Sequence, residues 1–142
     1  MPRVKDILKE RELFFVEPDE TVAEVARKMV DHNVGATLVL ENGQLRGIFS
    51  ERDLMRRIVV GHLDPARTKV GSVMSADVIT IQDTDTIEEA MARMKAHSCR
   101  HLPVMRDTQV VGFLSMRDLM NYELDLKTDE LQHMRAYIHG TR

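Results

Sequence analysis

The sequence predicts an α/β protein built from two tandem copies of one module, and three observations support this. The string GIFSERDLM at residues 47–55 returns as GFLSMRDLM at residues 112–120. When residues 21–55 are laid on residues 86–120 without a gap, twelve of the 35 positions are identical, whereas unrelated sequences would share roughly two. Within each copy, helical periodicity alternates with short apolar runs that are typical of buried strands.

The first predicted helix of each copy follows a short strand and begins with a capping signal. Thr21 precedes Glu24 by three residues, and Thr86 precedes Glu89 in the same way, which is the spacing of a capping box. Apolar residues then recur at helical spacing and predict the buried face of each helix. These residues are Val22, Val25, Ala26 and Met29 in the first copy, and Ile87, Ala90, Met91 and Met94 in the second.

A strand hairpin and a second helix complete each copy. The runs VGATLVL and RHLPVM predict central strands, and LRGIF and VVGFL predict the strands that return. Asn42-Gly43 is a hairpin-turn signal in the first copy. SERDLM and SMRDLM then open the second helices. Each copy is therefore predicted as a β-α-β-β-α module, the first within residues 1–64 and the second within residues 65–125.

Two such modules are expected to share one core. A module of about sixty residues is marginally stable on its own, so we expect the two sheets to pack with pseudo-twofold symmetry. Residues 126–142 are predicted as a C-terminal helical tail. Leu131, Met134 and Ile138 lie on one face of that helix, which we expect to dock on the body or on a second subunit.

The composition excludes several classes of protein. The 142 residues are 43% hydrophobic with a formal net charge of −3 and no basic block, which argues against nucleic-acid binding. The apolar runs are too short to span a bilayer, and residues 1–10 lack the apolar core of a secretory signal. A single cysteine, Cys99, excludes an internal disulfide and fits a reducing compartment. We expect a cytoplasmic protein without a membrane segment.

The repeated Ser-x-Arg-Asp string supports two interpretations. Ser50 with Asp53, and Ser115 with Asp118, can cap helices, since a carboxylate in the first turn favours the helix dipole. The alternative is a ligand site, because Asp is shorter than the Glu of the other capping signals and a Gly precedes each Ser by three residues. A hydroxyl, free amides and an Arg at a helix start suit a phosphate, and a carboxylate suits a ribose diol.

The paired modules, each with Gly-h-h-Ser-x-Arg-Asp (h apolar), resemble the cystathionine-β-synthase-type (CBS) domain pair over about residues 4–122. The segment HSCRHLPVM before the second hairpin adds to the resemblance. The resemblance implies a disk-like pair that binds adenosyl ligands such as AMP, ATP or NAD in two clefts. It also implies that two pairs associate, so we expect a homodimer.

The resemblance also implies the site residues. It implies that the ribose aspartate comes from one copy while segments of the other copy hold the base. One site is expected to comprise Ser50, Arg52, Asp53, Val78, Ile79, Arg100 and His101. The other is expected to comprise Ser115, Arg117, Asp118, Leu13, Phe14, Gly35 and Ala36. Because Arg100-His101 is basic where the first copy has Gly35-Ala36, the Asp53 site is expected to accept phosphate better.

The sequence supports metal binding and catalysis less well. His97, Cys99 and His101 alternate as metal ligands can, but the repeat alone explains His97, which matches His32. No nucleophile elbow or phosphate-binding Gly-rich loop predicts catalysis, so we expect no enzyme, catalytic residue, catalytic cofactor or metal. The favoured function is a regulatory module that senses AMP or NAD, or else ATP, and signals to an unidentified protein target. The alternative is a protein-interaction and dimerisation module whose clefts hold no ligand.

Overall fold

The computed structural model describes residues 1–8 and 12–138. Each copy contains a strand, a helix, a strand hairpin and a second helix, as the sequence predicts. The helices are α1 (Val4–Ile7), α2 (Val22–Asp31), α3 (Glu51–Asp53), α4 (Ile87–His97) and α5 (Met116–Ile138), with a π-helix at Leu54–Val59 and a 3-10 turn at Val70–Ser72. The strands are β1 (Phe15–Val16), β2 (Ala36–Glu41), β3 (Gln44–Ser50), β4 (Ile81–Gln82), β5 (His101–Arg106) and β6 (Gln109–Ser115).

The strands form two three-stranded sheets with the same topology. The strand orders are β1-β2-β3 and β4-β5-β6, with the first pair parallel and the hairpin antiparallel. The register of each hairpin shifts once, between Val39 and Leu40 in the first copy and between Val104 and Met105 in the second. These positions are 65 residues apart, as are the identical residues of the alignment. The repeat therefore extends to an irregularity of the backbone.

Left-handed backbone also recurs at matching positions. Asn33 and Ser98 have φ values of 53° and 52°, and Asn42 and Asp107 have φ values of 52° and 57°. Asn42 and Gly43 form the tight turn of the first hairpin, and the φ of Gly43 is 78°. Short polar side chains tolerate this region best after glycine, which explains how the second copy makes its turn without an Asn-Gly pair.

The capping signals produce the predicted helix starts. The backbone N–H of Glu24 donates to Thr21 Oγ1 at 3.2 Å, and the backbone N–H of Thr21 donates to Glu24 Oε2 at 3.3 Å. Thr86 accepts from the backbone N–H of Glu89 at 3.1 Å. The apolar faces of both helices are then buried as predicted, with Val22, Val25, Met29, Ile87, Ala90 and Met94 all at 6% exposure or less.

The buried apolar residues form two main clusters, one for each copy, rather than the one shared core that the sequence predicts, and each cluster takes residues from the segment that precedes the other copy. Val4 of α1 is buried with Ile87 and Leu114 of the second copy. Val70 and Val73 are buried with residues of the first copy. Val4, Ile7 and Leu8 match Val70, Val73 and Met74 at an offset of 66, so the exchange of segments is itself part of the repeat.

The sheets of the two copies meet through the equivalent strands β3 and β6. This gives the paired α/β architecture with pseudo-twofold symmetry that the sequence predicts. The helices that follow these strands differ between the copies. In the first copy the three-residue α3 passes into the π-helix, in which Val60 N–H donates to the carbonyl of Met55 at 2.9 Å. In the second copy α5 is 23 residues long.

The predicted C-terminal tail is the continuation of α5, which runs through residue 126 without interruption. Leu131, Met134 and Ile138 are 55%, 58% and 69% exposed. The apolar stripe therefore does not dock on the body of its own chain. Residues 139–142 of the predicted tail lie outside the described residues. Among the residues that the structure describes, no helix is both long enough and apolar enough to cross a membrane.

Candidate functional site

Both Ser-x-Arg-Asp strings form reciprocal helix caps. Ser50 N–H donates to Asp53 Oδ2 at 2.9 Å, and Asp53 N–H donates to Ser50 Oγ at 3.2 Å. Ser115 and Asp118 make the same two bonds at 2.9 and 3.0 Å. The capping interpretation is confirmed, because the shorter aspartate side chain accepts from the backbone N–H of the capping serine in both copies. Capping leaves ligand binding open, because a carboxylate has about four acceptor positions.

The glycines of the repeated string are close to protein. A Cβ added to Gly47 would lie 2.6 Å from the carbonyl oxygen of Ser75 and 2.8 Å from Met74 Sδ. A Cβ added to Gly112 would lie 2.9 Å from Leu8 Cδ2. A ligand therefore does not approach the backbone at these two glycines, contrary to the interpretation of the sequence. The space beside Gly47 is filled by the segment that precedes the second copy, residues 70–75, which we call the exchanged segment. It pairs with β3 through two backbone hydrogen bonds between Ile48 and Ser75 at 2.9 and 3.0 Å.

Two residues that lie beside Asp53 are not among the site residues predicted from the sequence. Ser75 Oγ donates to Asp53 Oδ1 at 3.2 Å. Arg57 Nε lies 4.0 Å from the same oxygen, and Arg57 Nη1 donates to the carbonyls of Val73 and Met74 at 2.9 and 3.0 Å. The signal that could have revealed Ser75 is the match between the segments that begin at Val4 and Val70. Arg57 has no such signal, since Tyr122 stands in its place in the second copy.

The register of each sheet decides which predicted residues come together. His101 is the partner of Ser115, and the carbonyl of Arg100 accepts from Met116 N–H at 2.8 Å. Ala36 is the partner of Ser50 in the same way. Arg100 and His101 therefore adjoin the Asp118 turn of their own copy. The expectation that groups them with Asp53, and so ranks the Asp53 site first for phosphate, stays a prediction. The register favours a grouping by copy, while the charge of Glu51, two residues before Asp53, also acts on His101.

The remaining predicted residues follow the same rule. Val78 and Ile79 precede the short strand β4 by one further residue, Thr80. Since β4 runs parallel to β5, they lie toward the end of the sheet where His101 begins. Leu13 and Phe14 precede β1 at the corresponding end of the other sheet. We therefore group the predicted residues by copy and call the first set, which is Leu13, Phe14, Gly35, Ala36, Ser50, Arg52 and Asp53, the first-copy site. The second-copy site is Val78, Ile79, Arg100, His101, Ser115, Arg117 and Asp118.

The two sites differ most in charge. In the first-copy site, the carboxylate of Glu51 lies over Gly35, with Oε1 3.2 Å from where a Cβ of Gly35 would stand. Met116 occupies the position of Glu51 in the second copy. The exposed Arg52 and Arg117 are equivalent in the two sites, so the second-copy site differs by the exposed Arg100, where the first copy has Gly35. The second-copy site is therefore the more favourable one for an anion, although the charge of Glu51 also acts on His101.

His101 is the titratable group whose environment is most distinctive. Burial lowers the pKa of its imidazole, whereas the charges of Asp118 and Glu51 raise it and those of Arg100 and Arg117 lower it further. Its ring packs against Phe113 with centroids 5.1 Å apart. His101 is therefore held neutral near pH 7, with a ring nitrogen able to bond a ligand oxygen.

Other features of the described surface lie apart from these sites. One open depression is between the hairpin turns, at the far ends of the strands, and is lined by Asn42, Gly43, Gln44, Leu45, Met105, Thr108 and Gln109. Burial raises the pKa of the Cys99 thiol, which keeps it in its less reactive protonated form. Within residues 1–8 and 12–138, no group of three or more His, Cys, Asp or Glu side chains could hold a metal ion.

Comparison with known proteins gives consistent matches. CBSX3 of Arabidopsis thaliana, a mitochondrial CBS domain-containing protein, is 35% identical over 127 residues, which are 86% of this chain and 62% of that protein. The chain thus spans less than two thirds of that relative. The crystal structure of the CBS domain NE2398 has a TM-score of 0.83 at 33% identity and covers 87% of this chain and 99% of its own.

A third match is the CBS domain protein PAE2072 from Pyrobaculum aerophilum, whose structure is a complex with AMP. It has a TM-score of 0.75 at 29% identity and covers 82% of this chain and 88% of its own. The family model of the CBS domain matches the chain twice, over residues 4–60 and 70–125. With both modules matched, the protein belongs to the CBS domain family.

Proposed function

We propose that this CBS pair is a regulatory module that binds an adenine nucleotide, AMP in the first place, in the second-copy site. The observation that supports this most strongly is the sheet register, because it brings the basic Arg100-His101 start of β5 beside the Ser115–Asp118 turn. A cationic strand end then faces the N-terminus of a 23-residue helix. That combination attracts a phosphate.

Each part of the ligand has a chemical counterpart. The phosphate would be held by the exposed guanidinium groups of Arg100 and Arg117 and by the start of α5, with His101 as a neutral partner. The ribose diol would bond to the Asp118 carboxylate, whose geometry at the helix start is set by its bonds with Ser115. The adenine would rest on the half-buried apolar segment Val78-Ile79.

AMP is the first choice among the adenosyl ligands because the similar CBS protein PAE2072 has been solved with AMP. ATP and NAD share the same adenosyl and phosphate groups and are the next candidates. The first-copy site is proposed to be the weaker one for all three. Glu51 opposes a phosphate there, and Ser75 and Arg57 already surround Asp53.

The connection between the copies offers a route for a signal. Ser75 is bonded to Asp53 of the first copy, and only three residues later Val78 lies at the second-copy site. A ligand that orders Val78-Ile79 would therefore also favour one arrangement of the segment that joins the copies. Occupancy would shift the population of the pair between arrangements, and a protein target would detect that shift. The proposed role is binding rather than catalysis.

Ligand-dependent thermal stabilisation tests this proposal. Because a ligand that binds only the folded state adds RT ln(1 + [L]/Kd) to stability, AMP at 100 times its Kd should stabilise by about 2.7 kcal/mol. Adenosine, which lacks the phosphate, should give a smaller rise in Tm than AMP at equal concentration. If AMP, ATP and NAD all leave Tm unchanged, the proposal fails, and the protein-interaction alternative takes its place.

A further inference from the structure

The second half of α5 lies outside the folded body. Tyr122 packs partly against the core of the second copy. From Glu123 to Ile138, every side chain except that of Ala136 is exposed. These sixteen residues extend about 24 Å, and an isolated helix of that length is only marginally stable in water. A helix with this exposure is expected to gain its stability from a partner.

The exposed apolar residues form a seam with the spacing of a coiled coil. We call this set the α5 stripe, and its members are separated alternately by four and three residues, which is the spacing of the a and d positions of a heptad. Five members are apolar and exposed, and one is a lysine. The α5 stripe is Met120, Leu124, Lys127, Leu131, Met134 and Ile138.

We infer that the α5 stripe pairs with the α5 stripe of a second copy in a parallel, two-stranded coiled coil. The flanking charges select both the partner and the direction. In a parallel pair, each Glu130 at position g lies beside Arg135 at position e of the other helix, so two Glu–Arg ion pairs form. In an antiparallel pair that overlaps the whole stripe, Glu130 would meet Glu130, which is repulsive.

Lys127 fits this arrangement as the polar residue of the seam. It occupies a d position, where its alkyl stem can pack while the ammonium group extends to solvent. Glu123 and Glu130 stand four residues before it and three after it on the same helix, which offsets the charge of two neighbouring ammonium groups. A single polar residue in a seam favours one register at some cost in stability.

The oligomeric state of the full chain tests this pairing. Light scattering after size exclusion at about 50 µM should give twice the 16.3 kDa of one chain. The double variant Leu131→Glu with Met134→Glu should be monomeric, because charges enter the seam. Leu126→Glu changes an exposed leucine that lies off the stripe and should remain dimeric. A monomeric wild type, or a dimer that survives the double variant, would overturn the inference.

Disulfide cross-linking tests the direction of the helices. In a Cys99→Ala background, Lys127→Cys should oxidise to a covalent dimer, since equivalent d positions face each other in a parallel pair. Asp129→Cys, on the opposite side of the helix, is the matched control and should cross-link poorly. If Lys127→Cys forms no more covalent dimer than the control, the parallel pairing is wrong even where a dimer exists. Lys127 and Asp129 are exposed and Cys99 is half-buried, and alanine at residue 99 is a small change, so the variants are expected to fold.

Discussion

Asp53 and Asp118 each cap a helix, and the proposed function gives Asp118 a second role toward the ribose. Each accepts a hydrogen bond from the backbone N–H of the serine three residues before it, at 2.9 Å in both copies. Such a bond orients the carboxylate before any ligand arrives, which lowers the conformational cost of binding. The sequence presents capping and ligand binding as alternatives, but one carboxylate can serve both. Capping is confirmed, and ligand binding stays a prediction.

His101 should make the stability of the protein depend on pH. Burial lowers the pKa of His101 in the folded protein, so the unfolded chain binds the proton first, at its ordinary pKa of about 6.5. Stability is then unaffected by His101 above pH 6.5 and declines as the pH falls below that value. Between pH 8 and 5.5, the Tm of His101→Asn should fall less than that of the wild type.

The control for this measurement is the exposed His97, four residues earlier. His97→Asn should keep the slope of the wild type. If His101→Asn and the wild type give parallel curves of Tm against pH, then burial of the imidazole does not govern its titration.

At the scale of elements, the repeat made most of the secondary structure predictable. Both capping signals, both hairpins and the order of strands and helices could be predicted because they depend on local spacing. The π-helix at Leu54–Val59 could not, since the Arg-Asp-Leu-Met run that leads into it is the same as in the first turns of α5. Within the π-helix, Arg57 bonds to the carbonyls of Val73 and Met74, whereas Tyr122 stands at its place in α5.

The contact between β3 and the exchanged segment should make the two repeated glycines unequal. Gly47→Ala places a methyl group against the carbonyl of Ser75, which two backbone bonds hold in place. Such overpacking costs about 1–3 kcal/mol. Gly112→Ala meets only the end of the flexible Leu8 side chain and should cost less. Urea unfolding of the two variants measures the difference, and equal or reversed losses would contradict the contact geometry.

At the scale of the whole molecule, the exchange of segments was not predictable from the local pattern. Val4 belongs to the first copy by sequence, but it is fully buried in the core of the second. In the sequence, this exchange is indicated only by the weak match between VKDIL and VGSVM. The grouping of the site residues by copy could not be predicted for a related reason, because it depends on strand register and not on spacing along the chain.

Truncation of Val4 should therefore weaken the copy that is distant from it in sequence. Val4→Ala should lower the free energy of unfolding by about 1–3 kcal/mol. In hydrogen exchange, protection should fall more in α4, β5 and β6 than in β2 and β3. The control is Val30→Ala, whose side chain is 77% exposed and whose loss should change little. Greater loss of protection in the first copy would contradict the exchanged packing.

The most direct test of the proposed function is a calorimetric titration with AMP of the wild type, Asp118→Ala and Asp53→Ala. Both substitutions remove equivalent capping bonds, but Asp53→Ala also removes the bond from Ser75, so the Tm of each ligand-free variant is measured beside its affinity. We predict that Asp118→Ala weakens AMP binding at least tenfold, which is about 1.4 kcal/mol. Asp53→Ala should retain affinity within about threefold. Loss of binding in Asp53→Ala alone, or no binding by the wild type, would contradict the assignment of the nucleotide to the second-copy site.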